Sequence, residues 1–465
     1  MKIFIALLAT VFFSQNSYST DSSIDSFTLW LAENGFKQYV QEVDLCKEKK
    51  INKEIKEVCK NYPGGRWGWS NNLKITFYKS AEIPEGSKPN RDTALYYLFR
   101  GQQVEKTYDK AGVTKSNNPY KFQISLRGDD DQTLKIVRKS MNSSSMLSYI
   151  LYEDGKITID EITPLDRFGI LYDNNTHHTS ASVGKSIVSY VVGHAICEGY
   201  ISGVEQKLND WPLIENTLFY DQKLIDLLNM AAGHQMYTDG GDLKTNGTYP
   251  RNGNLNTVAF HMQNGVFKNS KQAKKKFHYT NEITNIVINY VWHKSNGKFQ
   301  ELLDKVFKEK AKIENDVWFL KNNNETIRGA NNNNKIKKQY EVRDEDGNIR
   351  YSFRATRYDY LRIAKAMLDD WQNDTCVGKY LKNIHERRIP KNLEYKNEDS
   401  PMRNPKSYAG FFHTDYTGMS KRNVMGMNGY GGQAIIIDFD KSRIIVINSI
   451  TEDYGWKNLA YSVIK

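Results

Sequence analysis

Two pairs of apolar-rich segments lie far apart in the chain, and each pair predicts a β-hairpin. Met146 to Tyr152 (MLSYILY) and Lys156 to Ile162 (KITIDEI) flank the turn dipeptide Asp154-Gly155. Gln433 to Asp438 (QAIIID) and Arg443 to Ile450 (RIIVINSI) flank a second turn. Strands at such distant positions predict one antiparallel sheet that is assembled from both ends of the segment between them.

Helical periodicity fills the stretch between the hairpins. Ser182 to Gly199 (SVGKSIVSYVVGHAICEG) is apolar around nearly its whole circumference, which predicts a buried central helix that stops at Gly199. Leu224 to Ala231, Ile283 to Trp292 and Phe353 to Trp371 predict further helices. The fold class is therefore α+β: an antiparallel sheet flanked by helices, with an inserted helical sub-domain at roughly residues 205–350.

The first residues of the chain have the pattern of an export signal. Lys2 precedes the apolar run Ile3 to Phe13, and small residues stand at Ser17 and Ser19. We expect residues 1–19 to be a signal peptide and the mature chain to be periplasmic or secreted. The apolar run is too short to cross a bilayer, so we expect no stable membrane span. The alternative interpretation is a buried N-terminal helix.

Export changes the interpretation of the cysteines. In an oxidising compartment Cys46 and Cys59 are close enough in sequence to pair, although the sequence leaves this open. Cys197 lies in the apolar helix and is expected to be a buried thiol, and Cys376 is expected to be free. The chain contains neither CxxC nor HxxxH, so we expect no metal and no other cofactor.

The charge composition bears on whether the chain binds nucleic acid. Of 465 residues, 65 are Lys or Arg and 54 are Asp or Glu, a net charge of +11. The densest basic run, which ends at residues 274–276, is short, and the chain has no nucleic-acid-binding signature. We therefore expect no nucleic acid partner. Residues 20–139 are polar and weakly patterned, and their role is not readable.

The clearest candidate for a nucleophile and its base is the motif Ser182-Val183-Gly184-Lys185. Residues i and i+3 share a helix face, so the Lys185 amine can reach the Ser182 hydroxyl. Serine is a weak nucleophile that needs a neighbouring base, and a buried lysine with a lowered pKa can serve. By itself the motif is equally compatible with an ordinary capping serine. A phosphate-binding loop is excluded because it would require glycine at the position of Thr179.

Two later motifs supply complementary groups. Tyr279 and Asn281 directly precede the apolar helix at Ile283, where a phenol can relay a proton and an amide can hold the lysine. The glycine-rich run from Gly426 leads straight into the strand that begins at Gln433. Its backbone N–H is a candidate second oxyanion donor, beside that of the serine.

The order of these motifs resembles the serine β-lactamase and penicillin-binding-protein superfamily. The most similar branch is the class C-like one, with esterases, D-aminopeptidases and 6-aminohexanoate-dimer hydrolases. LIDLLNMAAGH, FRATRYD and GYGGQ resemble further segments of that branch. The resemblance covers roughly residues 140–465, the predicted hydrolase domain.

The resemblance implies a role for each motif residue. Ser182 would form the acyl-enzyme, Lys185 would be its base, Tyr279 would shuttle the proton and Asn281 would bind lysine or substrate. The backbone N–H groups of Ser182 and Gln433 would form the oxyanion hole.

The third motif departs from the β-lactamase pattern. Where those enzymes carry Lys-Thr/Ser-Gly, this chain has Tyr430-Gly431-Gly432, so the cation that binds the drug's carboxylate is missing. This favours a neutral amide or ester as the substrate over a β-lactam. Tyr237, which follows the NMAAGH segment, is a further candidate for lining the pocket.

We therefore predict an exported serine hydrolase whose partner is a small-molecule amide, ester or short peptide. Two alternatives stay open. One is a D-aminopeptidase or D-Ala-D-Ala carboxypeptidase-type enzyme. The other is a catalytically inactive binding or sensor module on the same scaffold.

Overall fold

The structure is a computed structural model. It describes residues 109–165, 168–169, 172–214, 219–232, 276–321, 347, 349–391, 400–450, 452 and 454–465. The predicted signal peptide, the Cys46–Cys59 pair and Tyr237 lie outside these ranges.

The chain contains both helices and strands, and the strands pair mainly in antiparallel sheets, which confirms the predicted α+β fold class. The strands are β1 (Asp109–Val113), β2 (Gln123–Ile124), β3 (Met146–Glu153), β4 (Lys156–Ile162), β5 (His178–Thr179), β6 (Val317–Lys321), β7 (Ile349–Ala355), β8 (Ile389–Pro390), β9 (Ser407–Ala409), β10 (Phe412–Thr414), β11 (Val424–Gly429), β12 (Gln433–Asp438) and β13 (Arg443–Ser449). The α-helices are α1 (Gln132–Ser143), α2 (Val183–Cys197), α3 (Leu224–Leu228), α4 (Glu282–Lys294), α5 (Phe299–Leu303), α6 (Arg357–Gln372), α7 (Cys376–Glu386) and α8 (Ser462–Ile464). A 3₁₀ turn (Pro212–Ile214) and two π-helical segments (Asp304–Lys310 and Lys457–Tyr461) complete the elements.

The strands form two sheets. The larger has nine strands in the order β2-β4-β3-β13-β12-β11-β10-β9-β8, and all neighbours are antiparallel except β2 and β4. Both predicted hairpins, β3–β4 and β12–β13, are present, and β3 pairs with β13. The sheet therefore joins distant segments, as predicted. The smaller sheet, β1-β6-β7-β5, is antiparallel throughout.

Helix α2 lies in the core, which confirms the prediction from its apolar circumference. Every residue from Val183 to Ala195 is buried, and the helix packs against α4, α7, β7 and β11. Gly193 permits the close approach of α7, because a Cβ atom there would lie 2.6 Å from the Tyr380 ring. The helix ends before Gly199, whose φ of +78° suits glycine.

Two sequence predictions were wrong. Phe353 to Trp371 is not one helix: Phe353 to Ala355 belong to β7, where β5 and β6 satisfy their backbone groups. The helix begins after Thr356, whose side chain accepts a hydrogen bond from the Asp359 N–H as an N-cap.

The second error concerns Cys197 and Cys376, which are neither a buried thiol nor free. They form a disulfide with a Cα–Cα distance of 5.8 Å. Cys197 is the last residue of α2 and Cys376 the first of α7, so the packing of these two helices brings the thiols together. A sequence separation of 179 residues hid this contact from local pattern analysis.

The role of residues 20–139 could not be read from the sequence. The described part of this segment, from residue 109 onward, contributes strands to both sheets. β1 pairs with β6, β2 pairs with β4, and α1 packs on β3 and β4. Within the described ranges, the helices are all too short or too polar to cross a membrane. The same ranges contain no cluster of His, Cys, Asp and Glu suited to a metal ion.

Candidate active site

The turn that carries Ser182 is held tightly against β7. The Ser180 N–H donates to the Phe353 carbonyl at 2.8 Å, and the Ser180 hydroxyl accepts from the Phe353 N–H at 2.8 Å. Ala181 has a φ of +43°, a left-handed conformation that is unfavourable for alanine and is often found at functional sites. A Cβ atom at Gly184 would lie 2.1 Å from the Tyr351 carbonyl oxygen, so the motif needs glycine there.

Lys185 lies one helical turn after Ser182 and is fully buried. Its Nζ donates to the Asn281 Oδ1 at 2.6 Å. Burial lowers the pKa of this amine well below its usual value. The amine is therefore biased towards the neutral form, which can accept a proton from the serine hydroxyl.

Tyr279 converges on the same point from the segment before α4. Its ring centroid lies 5.1 Å from the Lys185 Nζ. Burial raises the pKa of the phenol, and an interaction with the Ser182 side chain opposes this only in part, so Tyr279 is protonated at neutral pH. The ring lies in an aromatic cluster with Tyr408 and His413, at centroid distances of 6.0 and 6.5 Å.

Helix α4 supplies a row of asparagines to this site. Asn281, Asn285 and Asn289 recur every four residues and therefore share one face of the helix. The first accepts from Lys185, the second accepts from the Tyr351 N–H at 3.0 Å, and the third accepts from the Ile349 N–H at 2.9 Å. One helix face thus fixes both the lysine and the start of β7.

The glycine-rich third motif approaches the nucleophile turn from β11. A Cβ atom at Gly429 would lie 2.5 Å from the Ser180 carbonyl oxygen, so the two backbones are in contact. Gln433 pairs with Gly429 across the β11–β12 turn, and the Gln433 side chain is engaged by the Ser449 carbonyl and by Asn448. Gly432 accepts from the Tyr454 hydroxyl at 2.7 Å and has a φ of +83°.

The structure thus brings together Ser182, Lys185, Tyr279 and Asn281, and packs the third motif against their turn. Tyr430 lies on that motif with 68% of its surface exposed.

Solved structures share this architecture. A protein from Bacillus anthracis assigned as a 6-aminohexanoate-dimer hydrolase matches over 81% of this chain and 94% of its own, with a TM-score of 0.53 and 13% identity. The chain has the fold of the serine β-lactamase and penicillin-binding-protein superfamily. The resemblance that the motifs indicate is confirmed at the level of the fold.

Two further solved structures match with lower TM-scores. EstCE1, a hydrolase with promiscuous acyltransferase activity, matches over 72% of this chain and 97% of its own, with a TM-score of 0.48 and 10% identity. A class C β-lactamase in complex with cefoxitin matches over 71% of this chain and 97% of its own, with a TM-score of 0.45 and 14% identity. No family model matches the sequence, and no curated protein matches it either.

Sequence reasoning missed two groups beside this site. The ring centroid of Tyr351, on β7, lies 3.5 Å from the Lys185 Nζ. Lys391 is 3% exposed and lies 3.1 Å from the Nδ1 of His413, whose ring stacks on Tyr279. Both depend on packing between distant segments, which no local sequence pattern shows.

Proposed function

We propose that the chain is a serine hydrolase that cleaves an amide or ester through an acyl-enzyme on Ser182. The observation that carries the proposal is the convergence of three groups. Lys185 lies one helical turn after Ser182, is fully buried and donates to Asn281, and its Nζ lies 5.1 Å from the Tyr279 ring centroid. These are the parts of an activated nucleophile: an alcohol, a base of lowered pKa and a proton relay.

In the acylation step the Ser182 Oγ–H bond breaks and the proton passes to the Lys185 Nζ. The Oγ then bonds to the substrate's carbonyl carbon, and the electron pair of the C=O bond moves to the carbonyl oxygen. The backbone N–H groups of Ser182 and Gln433 are the proposed donors to this oxyanion. Collapse of the intermediate expels the amine or alcohol, which receives its proton through Tyr279. Water completes hydrolysis by the reverse sequence.

We further propose a substrate without a carboxylate beside the reacting carbonyl, as in short amides and esters of the 6-aminohexanoate-dimer hydrolase and esterase kind. The third motif presents Tyr430, an exposed aromatic, at the position where a β-lactamase carries lysine. An aromatic surface favours apolar or neutral groups over anions. A panel of neutral esters and linear amides against β-lactams and D-Ala-D-Ala peptides tests this, with hydrolysis of the neutral members expected to be the faster.

Export to an oxidising compartment, either periplasmic or extracellular, is also part of the proposal. The Cys197–Cys376 disulfide supports it, because disulfides are rare in reducing cytosol. Expression with and without residues 1–19 tests it: cell fractionation should find the full chain outside the cytoplasm and the shortened chain inside it. A full chain retained in the cytoplasm would contradict the proposal.

The decisive experiment is labelling by a fluorophosphonate, which phosphonylates activated serines irreversibly with loss of fluoride. We expect wild type to be labelled stoichiometrically and Ser182→Ala not to be labelled at all. Ser186→Ala is a matched control, since Ser186 lies on the same helix and donates to the Phe411 carbonyl instead. Persistent labelling of the Ser182→Ala variant would refute the nucleophile assignment.

A further inference from the structure

The ring of Tyr351 covers the amine of the Ser–Lys pair. Its centroid lies 3.5 Å from the Lys185 Nζ, whereas the Tyr279 ring centroid lies 5.1 Å from the same atom. Tyr351 is therefore the nearer of the two aromatic rings to the proposed base.

The backbone around Tyr351 is irregular in a way that aims this residue. Phe353 pairs with Phe319, but Lys321 pairs with Ile349 where a regular ladder would pair it with Tyr351. Such irregularities are common beside active sites, where they redirect a side chain. The Tyr351 N–H, released from the ladder, donates to the Asn285 side chain on α4.

We propose that the ring of Tyr351 takes part in the chemistry of this site. It stabilises the ammonium that Lys185 becomes when it accepts the Ser182 proton. This inference rests on the proposed function.

The surroundings of Lys185 isolate the contribution of the ring. Asn281 and Tyr279 at the start of α4 face the amine, and Tyr351 faces it from β7. Asparagine does not titrate, and burial raises the pKa of both phenols, so neither is charged at neutral pH. Arg350 lowers the pKa of the Tyr351 phenol against the larger effect of burial. The aromatic faces and the Asn281 oxygen are therefore the neutral groups that favour the ammonium.

The experiment measures the rate of fluorophosphonate labelling against pH for Tyr351→Phe and Tyr351→Leu. The rate should rise with pH as Lys185 loses its proton, and this rise defines the acid limb. Tyr351→Phe keeps the aromatic face, so we expect the acid limb to stay at its wild-type position. Tyr351→Leu removes that face, which lowers the pKa of Lys185, so the acid limb should move down by about one pH unit.

Tyr408→Phe is the matched control, since Tyr408 is a buried phenol of the same aromatic cluster. It should retain both the wild-type rate and the wild-type limb. An unmoved limb in folded Tyr351→Leu would overturn the role of the ring, and so would an equal downward shift in Tyr351→Phe. If the leucine variant does not fold, as judged by circular dichroism, Tyr351→Met replaces it, since methionine also lacks an aromatic face. Failure of the proposed function is distinguishable, because it would show as labelling of Ser182→Ala.

Discussion

At the scale of single residues, the unusual feature is an amine that is held in the core by an amide, with no carboxylate bound to it among the described residues. Lys185 donates to the neutral amide of Asn281, and burial lowers its pKa well below the usual value. A carboxylate at this position would stabilise the ammonium and remove the base. The amide fixes the amine without charging it, so the choice between asparagine and aspartate decides whether the site has a base at neutral pH.

Asn281→Asp tests this directly. A carboxylate within a few ångströms favours the charged form of a lysine, and shifts of about 1–3 pK units are typical. We expect the pKa of Lys185 to rise, so the acid limb of the labelling rate should move to higher pH and labelling at pH 7 should slow accordingly. Asn281→Ala, which removes the acceptor without adding charge, should not move the limb upward. An unchanged limb in the aspartate variant would contradict the assignment of Lys185 as the base.

At the scale of elements, the site is assembled where α2, α4, β7 and β11 meet. Its geometry depends on backbone contacts as much as on side chains, since Gly184 and Gly429 each allow a neighbouring backbone to approach. The disulfide lies at the other end of α2, some 15 residues and about 20 Å from the nucleophile. Stability and chemistry are therefore separated along one helix.

Removing the disulfide should reveal this separation. A cross-link between residues 179 apart restricts the unfolded chain, so Cys197→Ser/Cys376→Ser should lower the free energy of unfolding by about 2–4 kcal/mol. Labelling of the folded variant should proceed at close to the wild-type rate. Urea unfolding with and without reductant measures the effect, and wild type in reductant should match the double variant in reductant. A stability that is equal in all four samples would contradict the expectation.

The same elements show what the sequence could and could not predict. Periodicity predicted α2 and both hairpins because each is a local pattern, and motif order led to Ser182 and Tyr279. Periodicity failed at Phe353, where helix and strand patterns adjoin and the Thr356 cap sets the boundary. It also failed for Cys197 and Tyr351, whose partners lie more than a hundred residues away and depend on packing that no local window contains.

At the scale of the whole molecule, the fold buries a second lysine that the proposed chemistry does not use. Lys391 donates to the Met402 carbonyl at 2.9 Å and lies 3.1 Å from the Nδ1 of His413. Burial, and to a smaller degree Lys406, lowers the pKa of Lys391 to about 7. The unfolded chain keeps the ordinary pKa near 10.5. Folding therefore releases a proton from this group between those two pH values.

Linkage fixes the sign of the effect on stability. Between about pH 7 and pH 10.5 the unfolded state binds more protons, so the Lys391 contribution to the free energy of unfolding rises with pH. Below pH 7 both states are protonated and the burial penalty is complete. Lys391→Met should therefore flatten the pH dependence of stability across this interval by up to about 1.4 kcal/mol per pH unit.

Urea unfolding of wild type and Lys391→Met at pH 7, 8 and 9 measures this slope. The lost hydrogen bonds to Met402 and His413 add an offset that varies little with pH, so the slope and not the offset is diagnostic. Lys441→Met is the control, because it removes an exposed lysine and leaves both Lys391 and its neighbour Lys406 in place. Its slope should follow wild type. Parallel slopes for Lys391→Met and wild type would mean that Lys391 keeps its proton in the folded protein, and the core would then hold a permanent cation behind Tyr279.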